Sequence, residues 1–290
     1  MIKNNQLNNV SIYSMFKDVG DAFWLWLYTS GYYKRPVLHG IMPNMPEQSL
    51  QLQFTGCSGN LTLREAFLFY RFVKSTARQH GIVIGPGIKI LDFGCGWGRV
   101  VRFFLKDLPA SDLYCSDCDG EIVDVCRKLN LKVTLSINNP YPPIEFEDKS
   151  FDIIYSYSVF SHLSEDAHKH WLAEFQRILK PGGVFIATTR PRDFVFWCEK
   201  TRKMAKVPIS AQGAAMAFLN AEEKLKEYDD GKYIYDPVGG GGIRDGSFYG
   251  ETCIPEKYIR TEWTKYFRQV DFIYYKKHGY FNQNAIIAQK

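Results

Sequence analysis

The chain has 290 residues, 46% hydrophobic and 23% charged, a balance that suits a globular protein with a sizeable core and excludes a disordered one. Its formal charge of +5, from 36 basic and 31 acidic residues with no long basic run, attracts anions weakly and leaves no nucleic-acid footprint. Seven cysteines, an odd number, fit reduced thiols in a cytoplasm rather than a disulfide framework.

Taken from its start, the chain opens on MIKNNQLNNV, which lacks the apolar core of a signal peptide. The most apolar early run, AFWLWLY at 22–28, falls far short of the ~20 residues that cross a bilayer. Residues 1–60 show no clean period. They are rich in aromatics (Phe23, Trp24, Trp26, Tyr28, Tyr32, Tyr33), carry prolines at 36, 43 and 46, and are expected to form an irregular lid or cap. The main domain is expected over 61–290. Thr62-Leu63-Arg64-Glu65 has the pattern of a capping box, with a helix running on to His80 and stopping at Gly81.

Beyond that helix the pattern alternates. IKILDF (88–93) predicts a buried strand and RVVRFFLKDL (99–108) a helix. DLYCS (112–116) reads as a strand, EIVDVCRKL (121–129) as a helix, KVTLS (132–136) and FDIIYSY (151–157) as strands. A helix from Ser164 to Leu179 precedes the strand GGVFIATT (182–189). Such alternation implies a parallel sheet covered on both faces. Residues 191–250 break the rhythm with a polar helix and the run Gly239–Gly242, expected as a flexible loop on the substrate side. After a helix over 255–267, the strands QVDFIYY (269–275) and AIIAQ (285–289) are joined too closely to pair in parallel.

Chemistry concentrates in KILDFGCGWGRVVRFF (89–104). Gly94, Gly96 and Gly98 stand at alternate positions in a loop that leaves a strand and enters a helix, where ligands meet the carboxyl edge of such sheets. A dinucleotide site has the spacing G-x-G-x-x-G. Here the third glycine comes one residue early and Asp92 closes the strand, so a ligand with an ammonium group, S-adenosylmethionine, fits better than a pyrophosphate. Asp117 ends the second strand, where a carboxylate accepts two ribose hydroxyls, or else caps a turn beside Asp119. Cys115 and Cys118 form a lone CxxC, and without a second pair no metal is expected.

The stretches ILDFGCGWGRV, LYCSDCDGEIVDVCRKL and FEDKSFDIIYSYSVFSHLSEDAHKHWLAEFQRILKPGGVFIATT together resemble class I S-adenosylmethionine-dependent methyltransferases over about residues 60–190. The resemblance implies a Rossmann-like seven-stranded, mostly parallel sheet of order 3-2-1-4-5-7-6, its last strand antiparallel and helices on both faces. It implies S-adenosyl-L-methionine as cofactor. Asp92, Gly94, Cys95, Gly96, Trp97 and Gly98 would line its methionine end, Asp117 its ribose, and Cys118 and Asn138 (or Asn139) its adenine, with Tyr157 and Ser158 flanking the methyl-sulfonium. Trp97 replaces the small or polar residue usual inside this loop, and packs on the cofactor or on the N-terminal cap.

NNPYPP (138–143) is similar to the Asn/Asp-Pro-Pro-Tyr motif of nucleic-acid amino-methyltransferases, but precedes the fourth strand and has the wrong order, so nucleic acid is not expected as a partner. Neither is a membrane. The expected acceptor is a small molecule, most simply a hydroxyl of a saccharide or secondary metabolite. Its proton would pass to His162, just past the fourth strand, unless that ring only bonds the backbone of the next helix. Tyr249 and Glu251 are the expected acceptor contacts, while His168 and His170 are expected on a solvated face. An amine acceptor, and a partner subunit that binds the cofactor without catalysis, are the alternatives.

Overall fold

A computed structural model describes residues 11–38 and 40–290; MIKNNQLNNV lies outside the described residues. The chain divides into two compact units, one running to Ile137 and the other from Asn138 to Lys290.

Among the described residues of the first unit, four α-helices precede the first strand: α1 Ile12–Phe16, α2 Asp21–Thr29, α3 Gln48–Thr55 and α4 Asn60–Gln79. The helical period of α2 is hidden in the sequence because aromatics occupy both faces. Trp24, Leu27 and Tyr28 are buried, while Phe23 and Trp26 stay exposed and stack on each other at 5.2 Å. Asp21 in its first turn pairs with Lys106 at 2.8 Å and with Lys74 of α4 at 3.3 Å. The first turn of α4 departs from the capping-box reading. Thr62 lies inside the helix, its hydroxyl bonded to Thr55 Oγ1 at 3.2 Å, and Glu65 takes Arg99 instead of a backbone N–H. Gln51 Oε1 accepts the Gly59 N–H at 2.8 Å, so partners from α3 supply what a local cap would have supplied.

Strands β1 Ile90–Phe93, β2 Leu113–Asp117 and β3 Thr134–Ile137 pair in parallel, separated by the short helix α5 Val101–Phe104 and by α6 Gly120–Lys128. The helix expected over 99–108 is reduced to the four residues of α5, with turns on both sides. Arg102 accounts for the irregularity. It is fully buried, and its guanidinium turns back onto the loop to reach the carbonyls of Gly98 (3.1 Å) and Trp97 (3.5 Å).

The second unit begins with β4 Phe151–Ser156, helix α7 Glu165–Ile178 and β5 Leu179–Thr189. Helices α8 Asp193–Arg202, α9 Gln212–Met216 and α10 Ala221–Asp229 follow, then β6 Ile234–Asp236, β7 Glu251–Cys253, α11 Glu256–Glu262, β8 Gln269–Ile273, α12 Tyr275–His278 and β9 Asn284–Gln289. β6 and β7 form a separate antiparallel ribbon. The seven remaining strands stand in the order β3-β2-β1-β4-β5-β9-β8, with β9 antiparallel to both neighbours, which is the expected 3-2-1-4-5-7-6 sheet. Residues 191–250 fold around a small core of their own, built from Phe194, Val195, Cys198, Phe218, Leu225 and Ile234 with Cys253 of β7. The glycine run at 239–242 is a tied turn, since Gly240 N–H donates to Arg244 O at 2.7 Å and Gly239 N–H to Tyr249 O at 3.1 Å.

Ser164 caps α7 by accepting the Ala167 N–H at 3.3 Å. His168 is not on a solvated face, because it extends the apolar stripe of Trp171, Leu172 and Phe175 and is completely buried. Trp263 Nε1–H donates to its Nε2 at 2.9 Å, and burial holds its imidazole neutral down to about pH 3. The unfolded chain takes up this proton near pH 6.5, so His168 stabilises the fold fully above that pH and progressively less as the pH falls towards 3. Urea unfolding should lose up to about 1.4 kcal/mol per pH unit in that window, and a His168→Phe variant should lack this part of the slope.

Candidate active site

The loop after β1 is held from below by its neighbours in the first unit. Gly94 and Cys95 donate their N–H groups to Ser116 O of β2 at 2.8 and 3.1 Å. Gly96 N–H donates to Asp117 Oδ2 at 2.9 Å, and Cys126 Sγ of α6 to Gly96 O at 3.1 Å. Asp117 Oδ1 accepts the Asp119 N–H at 3.0 Å, while Asp119 itself caps α6 through Glu121 N–H at 3.1 Å. Asp119 is thus the helix cap, while Asp117 holds the turn beside it with one oxygen and the glycine loop with the other. At Gly98, φ is +72° and an added Cβ would lie 2.4 Å from Leu131 Cδ2, so no other residue fits without displacing that side chain.

Asp92 is buried at the end of β1, and Cys95 and Cys115 are buried behind the loop. Burial pushes the Cys115 thiol up to about 12, so it stays protonated at neutral pH. Trp97 is buried among Ile122 and Leu129, with Met45, Leu50 and Phe54 packed over it, which assigns it to the N-terminal segment. Arg102 joins the same structure: it stacks on Trp97 at 4.8 Å and Tyr28 at 5.5 Å, and donates to Asn44 O at 3.2 Å. Arg102→Lys puts a point charge where a planar fork reaches three carbonyls. Its expected cost is ~2–4 kcal/mol in urea unfolding, with roughly tenfold weaker S-adenosylhomocysteine binding by calorimetry.

One residue at this edge escaped sequence reasoning. Ile137 is the register partner of Asp117 on β3 and remains 56% exposed. A carboxylate beside an open apolar face suits a nucleoside, the first taking ribose hydroxyls and the second a flat base. The residues present therefore fit S-adenosylmethionine: Asp117 and Ile137 would hold its nucleoside, and the loop Gly94–Gly98 would lie along its amino-acid end.

In the second unit, Asn138 is buried and its amide donates to Asn139 O at 2.7 Å. Tyr157 is buried edge-on against Phe281 at 5.5 Å. Ser158 takes the left-handed conformation, φ +63°, rare for a residue with a Cβ and a common mark of functional turns. Its N–H donates to Thr188 Oγ1 at 2.8 Å and its hydroxyl accepts from Gln283 Nε2 at 3.0 Å.

His162, Tyr249 and Glu251 converge although up to 89 residues separate them along the chain, a separation set by the Leu163–Thr252 pair. A ribbon of bonds draws the two segments together: Gly250 N–H to His162 O at 2.7 Å, Thr252 N–H to Ser161 O at 2.9 Å, and Ser164 N–H to Phe248 O at 2.8 Å. The His162 and Tyr249 rings stack at 4.8 Å, 4° from parallel. On its own side Tyr249 lies against Gly240, where a Cβ would come within 2.6 Å of the ring. His162 Nδ1 is 2.7 Å from the Gly250 carbonyl, and a carbonyl only accepts, so Nδ1 carries the proton and Nε2 a lone pair. Burial lowers the imidazole pKa below its ordinary 6.5, as do the charges of Arg190 and Arg244, against Glu251 and the Gly250 carbonyl. His162 is therefore neutral at pH 7 and basic at Nε2, with 13% of its side chain still open. Arg190 and Arg244 went unnoticed in the sequence because nothing local links them to position 162.

Residues 90–183 match a family model described as a methyltransferase domain. A fatty-acid O-methyltransferase of Mycolicibacterium smegmatis is 26% identical over 197 residues, covering 66% of this chain and 69% of the relative. A sterol 24-C-methyltransferase of Aspergillus fumigatus is 33% identical over 112 residues, covering 37% of this chain and 29% of the relative. The chain spans about a third of the length of the sterol methyltransferases it matches. Among solved structures, the PH0226 protein of Pyrococcus horikoshii covers 76% of this chain and 90% of its own at 18% identity and a TM-score of 0.46. The sheet order, the glycine loop braced by a carboxylate on the next strand, and the methyltransferase domain matched over residues 90–183 together support a class I S-adenosylmethionine-dependent methyltransferase.

Proposed function

We propose that this protein transfers the methyl group of S-adenosylmethionine to a hydroxyl oxygen of a small polar acceptor, of the saccharide or secondary-metabolite kind. The observation that carries this reading is the state of His162: neutral, fixed in one tautomer by the Gly250 carbonyl, and with its basic Nε2 unused by that bond. When bound, the cofactor supplies a methyl group on a cationic sulfur, activated for in-line displacement. The chain's own residues then have two tasks. Asp117, Ile137 and the glycine loop fix the donor, and alignment alone can lower such a barrier by up to ~7–11 kcal/mol. His162 Nε2 accepts the acceptor's hydroxyl proton as the oxygen–carbon bond forms, Nδ1 stays bonded to Gly250, and Tyr249 stacked on the ring keeps its orientation. The charged lining of this cluster supports a polar acceptor. Similarity to an enzyme named as an O-methyltransferase supports oxygen as the receiving atom.

The test is incubation of the full chain with methyl-labelled S-adenosylmethionine and a panel of saccharides, phenolic metabolites, amines and fatty acids. A hydroxylated acceptor should gain one methyl group at oxygen. Label found only on amines, or on none while S-adenosylhomocysteine binds, sinks the reading.

A further inference from the structure

Arg190 follows β5 and has no part in the proton transfer proposed above. Its Nε is buried and donates no hydrogen bond. The nearest carboxylate, Glu251 Oε2, lies 3.6 Å away, beyond hydrogen-bond length, and is itself buried without a hydrogen bond. Glu251 Oε2 is likewise 3.7 Å from His162 Nδ1. Phe194 covers one face of the guanidinium at 4.4 Å and holds its plane. A cation, a carboxylate and an imidazole thus stand in contact range with none of their mutual bonds closed. Buried polar groups left in this state are costly and mark a place where something else binds. A planar guanidinium fork matches one chemistry above others, the paired oxygens of a carboxylate or phosphate.

We infer that the acceptor carries an anionic group, a carboxylate or a phosphate, that pairs with Arg190 and so sets its hydroxyl beside His162. The charged groups around His162 are Arg190, Arg244 and Glu251, with the Gly250 carbonyl on Nδ1, and both arginines oppose protonation of the ring. An anion paired with Arg190 cancels part of that opposition, so the base grows stronger when the right acceptor is present, and protonation of His162 favours the anion in return. This inference rests on the reading of His162 as proton acceptor.

The experiment uses the full chain, labelled at the histidine ring carbons and saturated with S-adenosylhomocysteine, with the His162 signal assigned by its loss in His162→Gln. Phenyl phosphate, benzoate and the neutral benzamide are titrated in turn. At least one anion should bind roughly 10- to 100-fold more tightly than benzamide and move the His162 titration to higher pH. Arg190→Gln should erase both effects and Arg190→Lys should keep part of them. The two anionic arms separate phosphate from carboxylate recognition. Equal affinities, no binding of either anion, or a preference that survives in Arg190→Gln overturns the inference. Failure here leaves methyl transfer to neutral hydroxyls intact, whereas failure of the broader reading shows as an absence of methyl transfer to oxygen.

Discussion

Replacing His162 by Gln should lower kcat by ~10²–10⁴-fold while S-adenosylhomocysteine binds as before. Gln can keep one hydrogen bond to the Gly250 carbonyl through its amide, so the ribbon that joins residues 161–164 to 248–252 has its backbone bonds intact. What the amide cannot do is accept a proton near neutral pH. The pH profile adds a check of different kind. Because burial and the two arginines lower the pKa of His162, the base is already deprotonated at pH 6.5. The acidic limb of kcat/KM should therefore lie below the ordinary imidazole value, with activity rising with pH through that limb and level above it. In His162→Gln the limb should vanish along with most of the rate. A variant that keeps full activity would reduce His162 to a structural ring that ties the insert to the loop after β4.

The second large effect is expected at Asp117. Asp117→Asn is nearly isosteric, yet the native carboxylate accepts on both oxygens, from Gly96 N–H and from Asp119 N–H. Asn offers one acceptor and a donor, so one of those N–H groups must face another donor whichever way the amide turns. The loop then loses a brace and the proposed ribose contact loses its charge. Each lost bond to a charged group is worth about 1.5–3 kcal/mol, and calorimetry should record S-adenosylhomocysteine binding at least ~100-fold weaker. The unliganded fold should lose about 1.5–3 kcal/mol in urea unfolding with the lost backbone bond, while β2 keeps its pairing with β1 and β3. Unchanged affinity in Asp117→Asn would show that the donor lies elsewhere.

Some of this molecule is legible residue by residue. The strands ending at Phe93, Asp117 and Ser156 show in the sequence as short apolar runs bounded by turns, because a buried parallel strand tolerates little else. The glycine loop shows because three left-handed positions at alternate residues leave glycine as the default choice. The antiparallel end of the sheet follows from a connection too short for a crossover. Other features misled because a local rule met a stronger partner from outside. Thr62 and Glu65 have the spacing of a cap but bond Thr55 and Arg99, and His168, polar by type, fills a place on the buried stripe of α7 against Trp263.

By itself, then, the sequence determined the alternating strands and helices, the glycine loop and the carboxylate beside it, for each of these follows from periodicity and spacing within a few dozen residues. The strand order came only with the resemblance to a known family. Only the tertiary structure decided what surrounds His162. Arg190 and Glu251 reach it from positions 28 and 89 residues away along the chain, as differences of residue number, through a ribbon of backbone bonds that no local pattern encodes. Hydrophobic period and turn chemistry act over a handful of residues. The charge, tautomer and reach of a catalytic ring depend on whichever distant groups the folded chain brings to within a few ångströms of it.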